Sequence, residues 1–587
     1  MWGKNRGNIF LPIIFACTAY IGKFLFAKQL GPIIEIASGK IQGVIAYSRE
    51  GREYFQFLSI PYARPPLGDL RFQSPQPPQN WTGVLLGDKV SPRCVGVEFL
   101  TSGRLVGQED CLYLNVFVPK GKESLTLKAE LLPVMVFIHG GGFLTGSASG
   151  YGEQYFMDED IVLVSMNYRL GILGFLNAED ETARGNMGLK DQSMALRWVR
   201  DNIESFGGDP TKITIFGESA GGASVHFHML SPMSKGLFDK AISMSGNALN
   251  PFWQTNRSYS EQVDMLGNRF ACPTEPRKAF VNCLQRVDAA ELSSIHAAVQ
   301  SPVHPLRDAF SPSIESIVDS DAFLTTQPYR LLELGNFNKV PWLSGANQAE
   351  GLIFVARVIY NESLRDSLSV TQIWNKYMPV MLFYDESKQN ASEEIRRHYL
   401  GLGEDFEVVE NSASLAKLFS DRLFFQSMQN TALLHAQHAP LYLYHYTHQG
   451  ALNVFNILKD TSPYFKLPME FHVLISLLKN WVLKTLFGIP PLSLGPCHGD
   501  EMLMLFTVNS ILDVSQSHVE DFEMSKTMIK TWTSFAKDEH SFKFRNLAWP
   551  AIKPNQPLKY MKLDSYGEIL VDPLTEDVKI WEKFDIL

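Results

Sequence analysis

An apolar run, Ile213-Thr214-Ile215-Phe216, leads directly into Gly217-Glu218-Ser219-Ala220-Gly221 and then into small residues able to open a helix. That order reads as a strand, a sharp turn and a helix with one serine at the apex. The constraint is steric: glycines on both sides of the serine remove the Cβ atoms that would clash, so the hydroxyl is held out over the edge of a sheet. Taken alone, the G-x-S-x-G spacing also fits an ordinary glycine turn.

The pattern does not stand alone. Val134-Met135-Val136-Phe137-Ile138 is a continuous apolar run suited to a buried parallel strand, and it ends in His139-Gly140-Gly141-Gly142-Phe143. Three glycines after a strand let backbone N–H groups face a ligand, as an acyl-transfer site requires for the oxygen that becomes negative on nucleophilic attack. Further short apolar runs at 161–165, 213–216, 241–244 and 340–344 alternate with helical patterns. One such pattern is Leu196, Val199, Ile203 and Phe206, which predicts an amphipathic helix ending before Gly207-Gly208. Strands alternating with helices imply an α/β fold: a mostly parallel central sheet with helices on both faces and reactive residues on loops leaving the strand ends. Residues 60–130 are rich in Pro and Gly with few helical periods and read as irregular structure and meander walling an entrance.

Serine at its ordinary pKa needs a base, and the base needs an orienting acid. Here the sequence resembles the type-B carboxylesterases, the family of carboxylesterases and cholinesterases, in its insect-type form. The matching segments are Pro61-Tyr62-Ala63-Arg64-Pro65-Pro66-Leu67-Gly68, Glu109-Asp110-Cys111-Leu112-Tyr113-Leu114-Asn115-Val116, the triple glycine, Asn167-Tyr168-Arg169-Leu170-Gly171, Phe206-Gly207-Gly208-Asp209-Pro210 and the Gly217 elbow. The resemblance runs from about Gly39 to the C-terminus, strongest up to residue 250. It implies an α/β-hydrolase fold with Glu350 as the acid, in Gly345-Ala346-Asn347-Gln348-Ala349-Glu350-Gly351, and His498 as the base, in Gly495-Pro496-Cys497-His498-Gly499-Asp500-Glu501. The chain order Ser219, Glu350, His498 is the one the elbow motif demands. The N–H groups of Gly141, Gly142 and Ala220 would form the oxyanion site. His226 and His228, near the serine in sequence, are expected to pack or face solvent rather than react.

The implied activity is a secreted serine carboxylesterase acting on small-molecule esters through an acyl-serine, without metal or cofactor. A non-catalytic adhesion or receptor-like chain of the same fold is the competing reading, and it is disfavoured by the intact triad and glycines. A specialised hormone or lipid esterase is a further alternative, of which the juvenile-hormone type is weakened because such enzymes typically carry Gln before the nucleophile, where this chain has Glu218. The 94–111 loop has no Trp, which the cholinesterases use to hold a quaternary ammonium, so choline-ester specificity is not expected. Glu218 is expected to bias the local field and steady His498 once charged.

Composition bounds the rest. At 587 residues and 45% hydrophobic, the chain can bury a large core as one hydrolase domain, 28–587, and its formal charge of -9 argues against a nucleic-acid partner. Lys4 and Arg6 precede a short apolar stretch, 9–21, in the pattern of a secretory leader, 1–27. Secretion gives meaning to the sequons at Asn80, Asn256, Asn361 and Asn390. By the resemblance, Cys94 pairs with Cys111 and Cys272 with Cys283, leaving Cys17 in the leader and Cys497 beside the base. Over 471–488, His472, Ser476, Asn480 and Lys484 recur every four residues among apolar ones, which predicts a helix with a wide apolar face, packed over the core, lidding the site or touching lipid. Oligomeric state is left open by the sequence.

Overall fold

The computed structural model describes residues 28–584 apart from 98–103, 122–129, 254–258, 300–309, 386–388, 402–406, most of 361–370 and 460–492, 509–518 except 513, and residues 452, 539 and 541. Residues 1–27, where the leader is expected, with Cys17, and the sequons Asn256 and Asn361 lie outside the described residues. Asn80 and Asn390 are exposed.

Among the described residues the central sheet has thirteen strands. They are β1 (Leu30–Ile36), β2 (Gly39–Tyr47), β3 (Glu53–Pro61), β4 (Val84–Leu86), β5 (Tyr113–Pro119), β6 (Leu132–Ile138), β7 (Val162–Met166), β8 (Gly208–Glu218), β9 (Lys240–Met244), β10 (Trp342–Asn347), β11 (Leu441–Tyr446), β12 (Lys559–Leu563) and β13 (Glu568–Val571). Their spatial order is β1-β2-β3-β5-β7-β6-β8-β9-β10-β11-β12-β13, with β4 paired to β2. From β7 to β12 every pairing is parallel. The flanking pairs β1–β2, β2–β3, β3–β5, β5–β7 and β12–β13 are antiparallel.

Strand periodicity divides the side chains between two cores. Along β6, Val134, Val136 and Ile138 enter one apolar cluster, and Met135 and Phe137 enter the other. The first cluster receives α1 (Met187–Asn202) through Leu196 and Val199, and α2 (Ala220–Leu230) through Ala223 and Phe227. The second receives α3 (Val519–Lys537) through Met524, Met528, Trp532 and Phe535. A strand buried on both faces is why β6 reads as an unbroken apolar run. The helical pattern through Phe206 is α1 followed by one 3₁₀ turn, Ile203–Phe206, which ends at Gly207 with φ 78°.

Two expectations need correction. The Pro/Gly-rich stretch 60–130 contains a seven-residue strand, β5, that joins the antiparallel flank to β7. Within 471–488 the described residues 475, 476, 478, 479, 482, 483, 486 and 487 are helical. Ser476 is buried and donates to the Asn456 carbonyl at 3.2 Å. Ile475, Leu478, Leu486 and Phe487 are exposed, so among the described residues Ser476 faces the protein while these four apolar residues face out.

Cys94 is bonded to Cys111, and Cys272 to Cys283. Arg71 ties the two loops together: it pairs with Glu109 at 2.5 Å and donates to the carbonyls of Leu284, Gln285 and Val287.

Candidate active site

Ser219 occupies the turn between β8 and α2 at φ 58°, ψ −123°, a setting that residues with a Cβ rarely adopt and that clusters at functional turns. Its N–H donates to the Met244 carbonyl at 2.8 Å, and its own carbonyl accepts from Ala223 at 2.8 Å. A Cβ on Gly217 would fall 2.5 Å from the Ile138 carbonyl oxygen, and one on Gly221 only 2.0 Å from the same atom. The turn therefore lies against the end of β6 too closely for any side chain but hydrogen. Ser219 itself stays partly exposed.

Where β6 ends, His139 is buried and its ring stacks on Tyr168 with centroids 4.4 Å apart. Its Nδ1 lies 2.9 Å from the Gly140 carbonyl, and Tyr168 Oη donates to the His139 carbonyl at 2.8 Å. Burial holds this imidazole down to about 4, so it is a neutral strut for the glycine loop. Gly141 and Gly142 have φ 111° and 63°. A Cβ on Gly140 would meet Glu218 Oε2 at 2.8 Å and Ser219 Cβ at 3.1 Å, which sets the loop against the serine side chain. Ala220 opens α2, so its N–H is among those with no partner inside the helix.

Glu350 follows β10 and is fully buried. Its Oε2 is 2.5 Å from His498 Nδ1, and its Oε1 accepts from the Asn347 N–H at 2.6 Å and from Ser245 Oγ at 2.5 Å. The loop carrying His498 is tethered to the same strand end: Ala349 N–H donates to the Pro496 carbonyl at 3.0 Å and Asn347 Nδ2 to the Cys497 carbonyl at 2.7 Å. Asp500 closes the loop by accepting the N–H groups of Cys497 and Val454 at 2.7 and 2.6 Å. The C-terminal ends of β6, β8, β9 and β10 thus converge, as expected of a parallel α/β sheet.

The other face of His498 is acidic. Nε2 lies 3.2 Å from Glu218 Oε1. Burial disfavours the charged ring, but the Glu218 and Glu350 carboxylates outweigh it and hold His498 above its ordinary value. Burial in turn lifts Glu218 above the usual carboxylate range, partly offset by the nearby imidazole. The Phe424 ring packs 5.0 Å from the His498 ring, centroid to centroid. It is placed there by a π-helical turn, Asp421–Phe425, inserted between two α-helices.

Ser219, Glu350 and His498, named from the sequence, sit with Gly141, Gly142 and Ala220 at one end of the sheet. His226 and His228 are buried: His226 accepts from the Ala248 N–H at 3.0 Å, and His228 contacts Ser234 Oγ and Gln192 Oε1. Cys497 is buried, and burial pushes its thiol up. Sequence reasoning missed Ser245, Asn347, Asp500, Glu501 and Phe424. Ser245 had a signal available, since it directly follows the strand beside the serine strand.

A doubly covered parallel sheet with these groups over its strand ends defines an α/β-hydrolase. The profile of the Carboxylesterase family matches residues 31–581, and the chain belongs to that family: it is a serine hydrolase of carboxylic esters. It is similar to venom carboxylesterase-6 of Apis mellifera, 35% identical over 566 residues, covering 94% of this chain and 93% of the relative. It is 34% identical to a carboxylic ester hydrolase of Bombus ignitus, with 96% of each chain covered. It is also 34% identical to juvenile hormone esterase of Tribolium castaneum, covering 94% of this chain and 91% of that one. The crystal structure of juvenile hormone esterase from Manduca sexta with OTFP covalently attached shares the fold, with TM-score 0.77 and 24% identity over 94% of this chain and 99% of that one. Among the described residues no helix is long and apolar enough to cross a membrane.

Proposed function

We propose that residues 28–587 form one catalytic domain of a secreted carboxylesterase that works through an acyl-Ser219 intermediate. The observation that carries this reading is the 2.5 Å contact between Glu350 Oε2 and His498 Nδ1 beside the positive-φ turn of Ser219. Ser219 Oγ attacks the ester carbonyl carbon while His498 Nε2 takes the hydroxyl proton. Glu350 holds the ring in that tautomer and balances the charge it acquires. The N–H groups of Gly141, Gly142 and Ala220 meet the oxyanion. Collapse expels the alkoxide, which leaves with the proton from His498. Water then repeats the sequence: it gives a proton to His498, its oxygen joins the acyl carbon, and Ser219 departs reprotonated with the carboxylic acid released.

The substrate class follows from the walls. Phe143, Trp253, Phe252 and Phe424 touch in series from the glycine loop to His498, with Phe354 and Phe383 packed against Phe252. The carboxyls of Glu218, Glu350 and Glu501 are buried around the serine. Neutral esters with bulky apolar groups suit that surface, and anionic ones do not. Secretion is supported by the leader pattern, the two disulfides and the exposed sequons at Asn80 and Asn390.

The test is covalent labelling. An organophosphate should modify the secreted protein at one-to-one stoichiometry on Ser219, with loss of p-nitrophenyl ester hydrolysis, and Ser219→Ala should neither label nor turn over. An intact chain that hydrolyses esters without labelling at Ser219 refutes the reading.

A further inference from the structure

Ser245 directly follows β9 at φ 53°, a left-handed setting that costs a residue with a Cβ about 1 kcal/mol or more. Its N–H is pinned to the Gly345 carbonyl at 2.8 Å. The consequence is a fixed hydroxyl, with Oγ 2.5 Å from Glu350 Oε1 and 3.1 Å from Glu501 Oε1. Both carboxyls are fully buried.

Counting protons decides how these three groups are bonded. Glu350 faces three donors: Ser245 Oγ, the Asn347 N–H and His498 Nδ1. Such a set suits an ionised carboxylate. Ser245 has one proton, and the short contact gives it to Glu350. Its contact with Glu501 is then a hydrogen bond only if Glu501 supplies the proton. The other oxygen of Glu501, Oε2, is already occupied as an acceptor by Asn347 Nδ2. Were Glu501 ionised as well, two buried charges would share a single hydroxyl proton, an arrangement that burial penalises heavily.

We propose that Glu501 is a positioning residue that, as the neutral acid, donates to Ser245 Oγ so that Ser245 donates to Glu350 and fixes the carboxylate that orients His498. This rests on the triad reading above. A carboxylic acid held neutral in order to donate a hydrogen bond is an established device of buried sites. The titratable groups facing Glu501 are Glu218, Glu350, His498, Tyr444, Tyr446 and Cys497. Burial first, and then the Glu350 and Glu218 carboxyls, push the Glu501 acid upward, in the direction the hydrogen-bond count requires.

The experiment uses the full secreted chain, after wild type has been shown to label at Ser219, so that failure here is separable from failure of the triad. Ser245→Ala and Glu501→Leu should each lower kcat about tenfold with KM changed by less than about twofold, and the pair should lose little more than either alone. Glu501→Gln, whose amide N–H replaces the acid proton, should recover most of what Glu501→Leu loses. Its acid limb in kcat/KM should coincide with that of wild type, because the group replaced carried no charge. A downward shift of that limb by about half a pH unit or more in Glu501→Gln means Glu501 was ionised and overturns the proposal. Undiminished kcat in Ser245→Ala overturns it too. Should Glu501→Leu fail to fold, infrared difference spectra of Glu501→Gln against wild type near neutral pH decide: loss of a protonated-carboxyl stretch supports the proposal and its persistence refutes it.

Discussion

His498 meets a carboxylate at each ring nitrogen, Glu350 at Nδ1 and Glu218 at Nε2, and the two do different things. Glu350 is tied down by Ser245 and Asn347, so it orients the ring. Glu218 stands on the side from which the ring must accept the serine proton, and its charge favours the imidazolium. A protonated ring cannot act as base, so kcat/KM falls as pH drops through the His498 pKa. Because that pKa is raised, the fall begins above the ordinary histidine value of about 6.5. Glu218→Gln removes one stabilising charge and lowers the pKa, so its acid limb should move to lower pH by about one unit. Profiles of kcat/KM from about pH 5 to 9 measure this. An unmoved or upward-shifted limb would show that Glu218 does not set the basicity of the ring.

At the scale of elements, the decisive contact is α2 against the end of β6. Gly221 admits the Ile138 carbonyl because it lacks a Cβ, and the atom it would collide with is backbone, which cannot swing aside. Gly221→Ala should therefore destabilise by about 1–3 kcal/mol and, by lifting the turn away from the glycine loop, lower kcat more than KM changes. A melting temperature and kcat both equal to wild type would contradict this. The same contact explains why the site could be read in part from the sequence. Ser219, its glycines and His139 to Gly142 are neighbours along the chain, and close approach leaves a glycine signature there. Strands β6, β8, β9 and β10 were legible for a related reason, since burial on both faces makes each a short apolar run. Strand β5 was not: Tyr113–Pro119 lies amid Pro and Gly and makes its hydrogen bonds to strands distant in sequence. Glu350 and His498 came from family resemblance, because nothing local separates them from other glutamates and histidines. Glu501 was invisible because its role lies in a contact with Ser245 across 256 residues. The segment 471–488 was misjudged at Ser476 because periodicity shows that a helix has two faces without showing which one meets the protein.

The whole molecule carries its serine site on a parallel sheet stabilised by two cores, but the loops at 94–111 and 272–283 are held another way. Each is closed by a disulfide, and Arg71 joins them by pairing with Glu109, two residues before Cys111, while donating to the carbonyl of Leu284, next to Cys283. That guanidinium is nearly buried, so cutting either loop loose leaves a charge short of partners as well as restoring freedom to the unfolded chain. A chain-entropy estimate gives roughly 3 kcal/mol for each loop. In a chain of this size unfolding need not be reversible, so the useful readout is the half-life of esterase activity at a fixed raised temperature. Replacing Cys94 and Cys111 together with Ser should shorten that half-life severalfold, and replacing Cys272 and Cys283 should do likewise. Because both act on the same Arg71 brace, the four-site variant should lose less than the product of the two effects, and Arg71→Met should make either pair matter less. Strictly multiplicative losses, unchanged by Arg71→Met, would mean that the two loops are stabilised independently and that Arg71 does not brace them.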